Sequence, residues 1–293
     1  MPKEFFRGIL QIVVASIIWG LAYPLTKDAL QNISPIFLGF CRFFLAGVLL
    51  MAFSRSKPLE GIAPADRKTV IFMAFWGTFV LVLCMNFGLR LTPGIVSSII
   101  SGTPPLFTVI LAAFWLNESL LGRHFVAFFL SIFGIFLLSD FSSSIQTSNH
   151  ILLGIILITV AQIAWAIYGV LGKSISKKYP WLQICRDSFV LGAFMLAPFA
   201  LIELALIGPG HWDLKGYLTL LYLGIGNSIV TYGLWNNALK MIPVSTASFV
   251  LYLQPISGAL LSAILFGESI TFKGFAGCIL IFLALFLVLK SEN

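Results

Sequence analysis

Six stretches of this chain run without a single charged side chain: Gly8–Thr26, Thr69–Leu89, Leu91–Asn117, Ile151–Gly172, Gly216–Leu239 and Met241–Gly267. Each approaches or exceeds the roughly 20 residues that a helix needs to cross about 30 Å of hydrocarbon. Four further runs are less clean. Pro35–Phe53 contains Arg42, Arg123–Ser139 opens on a charge, Leu182–Ile207 contains Arg186, Asp187 and Glu203, and Lys273–Leu289 is compact. Ten spans are therefore expected. Lipid offers no partner to a backbone N–H or C=O, so each span must satisfy its own, and these runs lack the polar/apolar alternation of an outer-membrane strand. The expected fold class is an all-α integral membrane protein of ten transmembrane helices. Of the 293 residues, 59% are apolar and 10% charged, against about 25% charged in soluble domains. An ordinary soluble enzyme is excluded, and the loops must be short.

The net charge of +7 would suit nucleic acid if the basic residues shared one polar face. They fall instead in brief clusters between apolar runs, so a lipid bilayer and not nucleic acid is the expected partner. Lys and Arg concentrate in cytoplasmic loops. With a cytoplasmic N-terminus, Lys3, Arg7, Arg55, Lys57, Arg67, Lys68, Arg123, Lys173, Lys177, Lys178, Arg186, Lys240 and Lys290 lie inside, and Lys27, Arg42, Arg90, Lys215 and Lys273 outside. This asymmetry predicts a multi-pass protein of the cell (inner) membrane with both termini cytoplasmic. The uncharged stretch after Arg7 lacks a small-residue cleavage site and is followed by more spans, which predicts a first membrane helix and not a removable signal. Cys41, Cys84, Cys185 and Cys278 sit in or beside apolar runs without metal-type spacing. They read as reduced packing residues, and no metal or cofactor is expected.

The chain also repeats itself. Residues 7–27, RGILQIVVASIIWGLAYPLTK, align without a gap on residues 153–173, LGIILITVAQIAWAIYGVLGK, pairing Trp19 with Trp165 and Lys27 with Lys173. Arg42 then pairs with Arg186, Asn86 with Asn236, Pro93 with Pro243, Pro105 with Pro255 and Glu118 with Glu268. The expected domains are residues 1–145 and 146–293, each a five-helix repeat. An odd number of crossings starts the second repeat on the opposite side of the membrane, so the two are expected to be inverted. Inverted repeats recur in secondary transporters, which bind substrate near mid-membrane where the repeats meet. Two similar halves can exchange conformations, giving inward-open and outward-open states of nearly equal energy.

The IIWG of the first span at Ile17–Gly20, the RFFLAG of the second at Arg42–Gly47, and Pro105 followed by Glu118, repeated as Pro255 and Glu268, together resemble the ten-helix EamA-type members of the drug/metabolite transporter superfamily. The resemblance covers almost the whole chain. It implies two five-helix bundles around a central cavity that moves small metabolites, often outward. The second half departs from the pattern where Trp165 is followed by Ala166 and Arg186 by Asp187.

A polar side chain on a membrane helix is costly without a partner or water, which makes it a pathway candidate. Asn86 and Asn236 either hydrogen-bond substrate from opposite halves or tie helices together. Trp19, Tyr23, Trp165 and Tyr168 pair at helical spacing within each half. They either line a cavity suited to an amino-acid side chain or an organic cation, or anchor the core. Tyr232 of the eighth span joins the candidate set. Tyr252 and Gln254 precede Pro255, where a proline loosens local hydrogen bonding, and are expected at the cavity. The hydroxyl residues around them, Ser245, Thr246, Ser248 and Ser257, suit close packing. Arg42 and Arg186 lie inside spans, where either could attract a carboxylate or phosphate or serve a helix interface. Asp187 adjoins Arg186, but adjacent helix positions do not face each other, so the partner of Arg186 is not assigned. Glu118 and Glu268 are expected to cap helices or pair at the bilayer surface, with proton carrying as the alternative.

Gly169–Ser174 reads GVLGKS, which lacks the GxxxxGK[ST] spacing of a phosphate loop and ends a membrane helix. The three histidines are scattered, and there is no HExxH or GxSxG. An enzyme is therefore not expected. The expected function is secondary-active or facilitative movement, by alternating access and outward by resemblance, of a small metabolite such as an amino acid or related amphipath. A coupling proton or an exchanged solute would drive it, from a monomer or homodimer. A channel-like pore or an intramembrane enzyme is the alternative, and the sequence shows no polar catalytic cluster for the latter.

Overall fold

The computed structural model describes residues 3–138, 150–266 and 272–289. Glu268 and Lys290, both singled out above, lie outside the described residues. In chain order the helices are α1 (Lys3–Ala29), α2 (Pro35–Ser54), α3 (Pro64–Ala74), α4 (Leu81–Leu91), α5 (Gly94–Ser101), α6 (Pro104–Leu116), α7 (Gly122–Leu138), α8 (Ile151–Ser176) and α9 (Trp181–Ile207). There follow α10 (Leu214–Leu221), α11 (Thr231–Ala238), α12 (Val244–Val250), α13 (Leu253–Phe266) and α14 (Phe272–Leu289). Wide π-helical turns, Phe75–Val80 and Tyr222–Val230, join α3 to α4 and α10 to α11 into continuous segments. Eight segments are long and apolar enough to cross a membrane, and two shorter apolar ones, Gly122–Leu137 and Val244–Leu260, accompany them. The protein is thus a multi-pass, all-α membrane protein of about ten helices.

Two predicted spans are not single helices. Pro104 and Pro105 occupy the first turn of α6, where a missing N–H costs nothing, and a regular helix would have placed their rings against the preceding carbonyls. The chain therefore breaks after α5 at Gly102, and the Thr103 hydroxyl donates to the Ile100 carbonyl at 2.7 Å. The equivalent span breaks between α12 and α13, at Leu251 and Tyr252, ahead of Pro255.

Packing groups the helices. α7 lies along α14, α2 along α9, α1 against α13 and α11, and α8 against α4 and α6. The α1–α13 crossing is very close. A Cβ on Gly20 would lie 2.1 Å from Ser257 Oγ and 2.8 Å from the Gly258 nitrogen, so the glycine of the IIWG motif is a packing requirement.

Both ends of the α2–α9 pair are stapled. At one end the Ser34 hydroxyl donates to the Gly208 carbonyl (2.7 Å) and the Phe37 amide to Glu203 Oε2 (2.7 Å), and separately Lys215 of α10 pairs with Asp28 of α1 (2.9 Å). At the other, Lys178 pairs with Asp66 (2.9 Å) and Gln183 donates to the Glu60 carbonyl (2.7 Å). Glu203, an acid inside a span, is thereby explained: its carboxylate caps the N-terminus of α2, where the helix dipole favours negative charge.

Candidate functional site

A cavity of about 470 Å³ opens between α1, α2, α4, α5, α8, α13 and the second π turn. It runs from the middle of the bundle toward the end that carries Lys27. Its floor is aromatic. Trp19 meets Trp165 edge to face with ring centroids 5.2 Å apart, and Tyr232 lies 5.4 Å from Trp165 and 5.9 Å from Trp19. Beneath them Tyr168 stacks on Trp165 at 5.4 Å, and Trp235 packs at 5.1 Å. These large rings fill the bundle centre, because each apolar face finds another face or edge.

The second π turn positions the polar wall. Ser228 Oγ donates to the Leu223 carbonyl (2.8 Å), five residues back, and itself accepts from Arg42 Nε at 2.8 Å. The Asn227 carbonyl accepts from Trp19 Nε1 (3.2 Å), Thr231 Oγ1 (2.6 Å) and, at the limit of bonding, Arg42 Nη2 (3.5 Å). A π turn displaces one residue from helical register, and here that register turns the Asn227 carbonyl and Ser228 hydroxyl toward α1 and α2. The Arg42 guanidinium also lies 4.8 Å from the centre of the Phe43 ring.

Eight sequence candidates converge on this cavity: Trp19, Tyr23, Arg42, Asn86, Trp165, Tyr232, Tyr252 and Gln254. Three are not among its lining residues. Tyr168 lies below the floor, its hydroxyl accepting from Asn236 Nδ2 at 2.7 Å. Asn236, with no exposure, also donates to the Tyr232 carbonyl (2.9 Å) and contacts Cys185 Sγ (3.5 Å), tying α11 to α8 and α9. Asn86 makes a comparable tie, donating to the Pro35 carbonyl at 2.8 Å, but also borders the cavity.

Arg186 is the third, and its surroundings differ from the expectation for neighbouring helix positions. It is 1% exposed, and its Nε donates to Asp187 Oδ1 at 2.7 Å. Nη1 reaches Ser56 Oγ (2.6 Å) and Ser54 Oγ (3.3 Å). The long arginine stem bends back to the next residue because full burial removes water as an alternative and demands a counter-charge. Further residues also line the cavity: Lys27, Gln162, Asn227 and Ser97, one of the fourth span's hydroxyl residues. Gln162 and Asn227 are uncharged amides inside apolar runs, each with an amide nitrogen that has no hydrogen-bond partner among the described residues. The criterion that selected Asn86 would have found them.

The opposite end of the bundle is filled. Ile12, Met73, Leu239, Ile242 and Val244 are buried there, and a Cβ on Gly8 would lie 2.8 Å from Ile242. Glu118 reaches across to cap α12, accepting from the amides of Val244 (3.0 Å) and Ser245 (3.1 Å) and from the Ser245 hydroxyl. Beside it Lys173 donates to the carbonyls of Leu239 (2.7 Å) and Ile242 (2.6 Å). Lys27, its sequence counterpart at the cavity end, makes one long contact, 3.5 Å to the Thr92 carbonyl. The arrangement can hold a small amphipathic molecule against aromatic faces, with one guanidinium at hand, in a pocket closed on one side.

The EamA-like transporter family matches residues 6–140 and again residues 152–290. An uncharacterized transporter of Archaeoglobus fulgidus is 28% identical over 94% of this chain and 95% of its own. A protein of Escherichia coli named "probable amino-acid metabolite efflux pump" is 26% identical over 96% and 93%, and one of the same name from Salmonella typhimurium 27% over 97% and 94%. A protein of solved crystal structure shares the fold with a TM-score of 0.77 at 18% identity, over 96% of this chain and 97% of that one.

Proposed function

The chain belongs to the EamA-like transporter family, and on that premise we propose that it exports an amino acid or a related amphipathic metabolite by alternating access through the central cavity. That it is a membrane transporter of small molecules, and not an enzyme, follows from the family and the names of its relatives. The observation that carries the proposal is the asymmetry of the cavity. It reaches toward the Lys27 end, while the aromatic floor and the Glu118 and Lys173 bonds close the Glu118 end. A pocket sealed on one side is what a carrier needs in one of its two states, and it argues against an open pore.

The Lys/Arg distribution supports a Glu118 end in the cytoplasm, so this is the outward-facing state of a protein in the cell membrane with both termini inside. The twofold family match supports the division into residues 1–145 and 146–293 as inverted repeats, with exchange between mirror-related states as the transport step. Trp19, Trp165, Tyr23, Tyr232 and Tyr252 receive the apolar part of the cargo, and Arg42, Asn86 and Gln254 its polar part. The relatives named as amino-acid metabolite efflux pumps support the substrate class. Uphill export draws on a proton gradient or on an exchanged solute.

Counterflow in proteoliposomes tests the proposal. Preloading with unlabelled amino acids accelerates uptake of the labelled ones in a carrier, as cargo returning outward resets the inward-loading site. Uptake indifferent to preloading, across a mixture of amino acids and their derivatives, contradicts it.

A further inference from the structure

We propose that the cavity takes its cargo as a net anion: a carboxylate joined to an aromatic or apolar body, without a free ammonium group. The inference deepens the preceding one and rests on this cavity being the transport site.

The argument is a comparison of two arginines. Arg42 and Arg186 occupy equivalent positions in the two sequence repeats, Arg42 within the 20-residue α2 and Arg186 nearer the start of the 27-residue α9. Arg186 is buried away from the cavity and carries its own counter-ion, Asp187, at 2.7 Å. Arg42 lines the cavity, and the residue that follows it is Phe43. Its contacts are a hydroxyl, a carbonyl and a ring. Among the described residues it forms no ion pair, the three that occur being Lys178–Asp66, Arg186–Asp187 and Lys215–Asp28.

The rest of the lining deepens the imbalance. Lys27 and Arg42 are its charged members, both positive, and no Asp or Glu among the described residues joins them. A guanidinium at membrane depth needs a partner or water, and a counter-charge is the strongest partner it can find. The protein provides a counter-charge at Arg186, which is not among the cavity's lining residues, and none among the described residues at Arg42, which is. A carboxylate can accept two parallel N–H bonds from arginine, so the cargo completes the pair. The same lining offers an ammonium group aromatic faces but no carboxylate, which sets the order of preference.

Three compounds sharing one aromatic body test this: 3-phenylpropionate, L-phenylalanine and 2-phenylethylamine, carrying a carboxylate, both charges and an ammonium respectively. Their binding to the purified full-length protein in lipid nanodiscs is read by calorimetry. The carboxylate is expected to bind about tenfold or more tighter than the amine, with phenylalanine between, since a hydrogen-bonded charge contact is worth at least that ratio. Arg42→Gln should bring carboxylate and amine within about twofold of each other, whereas Arg42→Lys, which keeps the charge, should preserve the order. Loss of the order in Arg42→Gln alone separates charge recognition from the interhelical tie to Ser228, which both variants disturb. The wild-type order decides the matter even if a variant misfolds. Absence of carboxylate binding, an amine or L-phenylalanine that binds as tightly as 3-phenylpropionate, or an unchanged order in correctly folded Arg42→Gln would overturn the proposal. Counterflow of zwitterionic amino acids in such a protein would still leave the carrier reading standing.

Discussion

At the scale of single residues, paired positions in the two repeats have different duties. Asn86 and Asn236 align with each other, yet Asn86 borders the cavity while Asn236 is enclosed by Tyr168, Tyr232 and Cys185. Asn236→Ala should cost about 1–3 kcal/mol of stability, by stranding the groups it bonds, and leave cargo affinity of the folded fraction unchanged. Thermal unfolding and binding on the same sample check both parts. Asp187→Asn leaves Arg186 buried and uncompensated, and a drop of about 3–5 kcal/mol is expected, seen as loss of the monodisperse species in detergent. Trp165 is 8% exposed and touches four rings. Trp165→Ala should therefore lower stability by about 3–5 kcal/mol as well as abolishing transport, while Trp165→Phe should retain the fold with weakened cargo binding.

At the scale of elements, breaks and close crossings do the positioning. The prolines at the breaks, Pro104 and Pro105 in the fourth span and Pro255 in the ninth, are visible in the sequence, and a ring without an N–H disrupts a helix in any surroundings. The π turns were not foreseen. They depend on contacts such as that of Gly77 with Tyr168, where a Cβ would lie 2.1 Å from the ring, and no local pattern encodes a neighbour 91 positions away. Gly20→Ala is expected to force α1 off α13 and cost about 1–3 kcal/mol, measured as a lowered unfolding temperature. The Glu118 cap on α12 closes the filled end. Glu118→Gln weakens charge-assisted bonds worth about 1–2 kcal/mol as a helix cap, so a cysteine replacing the buried Val244 should react faster with maleimide in that background than in one with Glu118. Equal labelling rates would mean that the cap does not hold the seal.

At the scale of the whole molecule, bonds tie both ends of the α2–α9 pair, Ser34 and Phe37 to Gly208 and Glu203 at one and Gln183 to Glu60 at the other. The orientation can be checked directly. Lys178 and Lys215 are each 57% exposed, at opposite ends. In a cysteine-free background, a cysteine at 215 should react with an impermeant reagent in intact cells, and one at 178 only after the membrane is opened.

Spans and charge asymmetry were legible in the residues themselves, because the free energy of moving a side chain into hydrocarbon is local and sums along the chain, and the internal repeat because equivalent residues recur in order. Candidate polar residues were legible for the same reason, and eight of the eleven named in advance meet at one cavity. Which of them would face it was not. Arg42 and Arg186, or Asn86 and Asn236, look alike in hydropathy and register, and their fates diverge through the rotation and crossing of helices far apart in sequence. That rotation is set by packing, a sum over long-range contacts such as Gly20 on Gly258 and Glu118 on α12, and it exists only once the chain has folded.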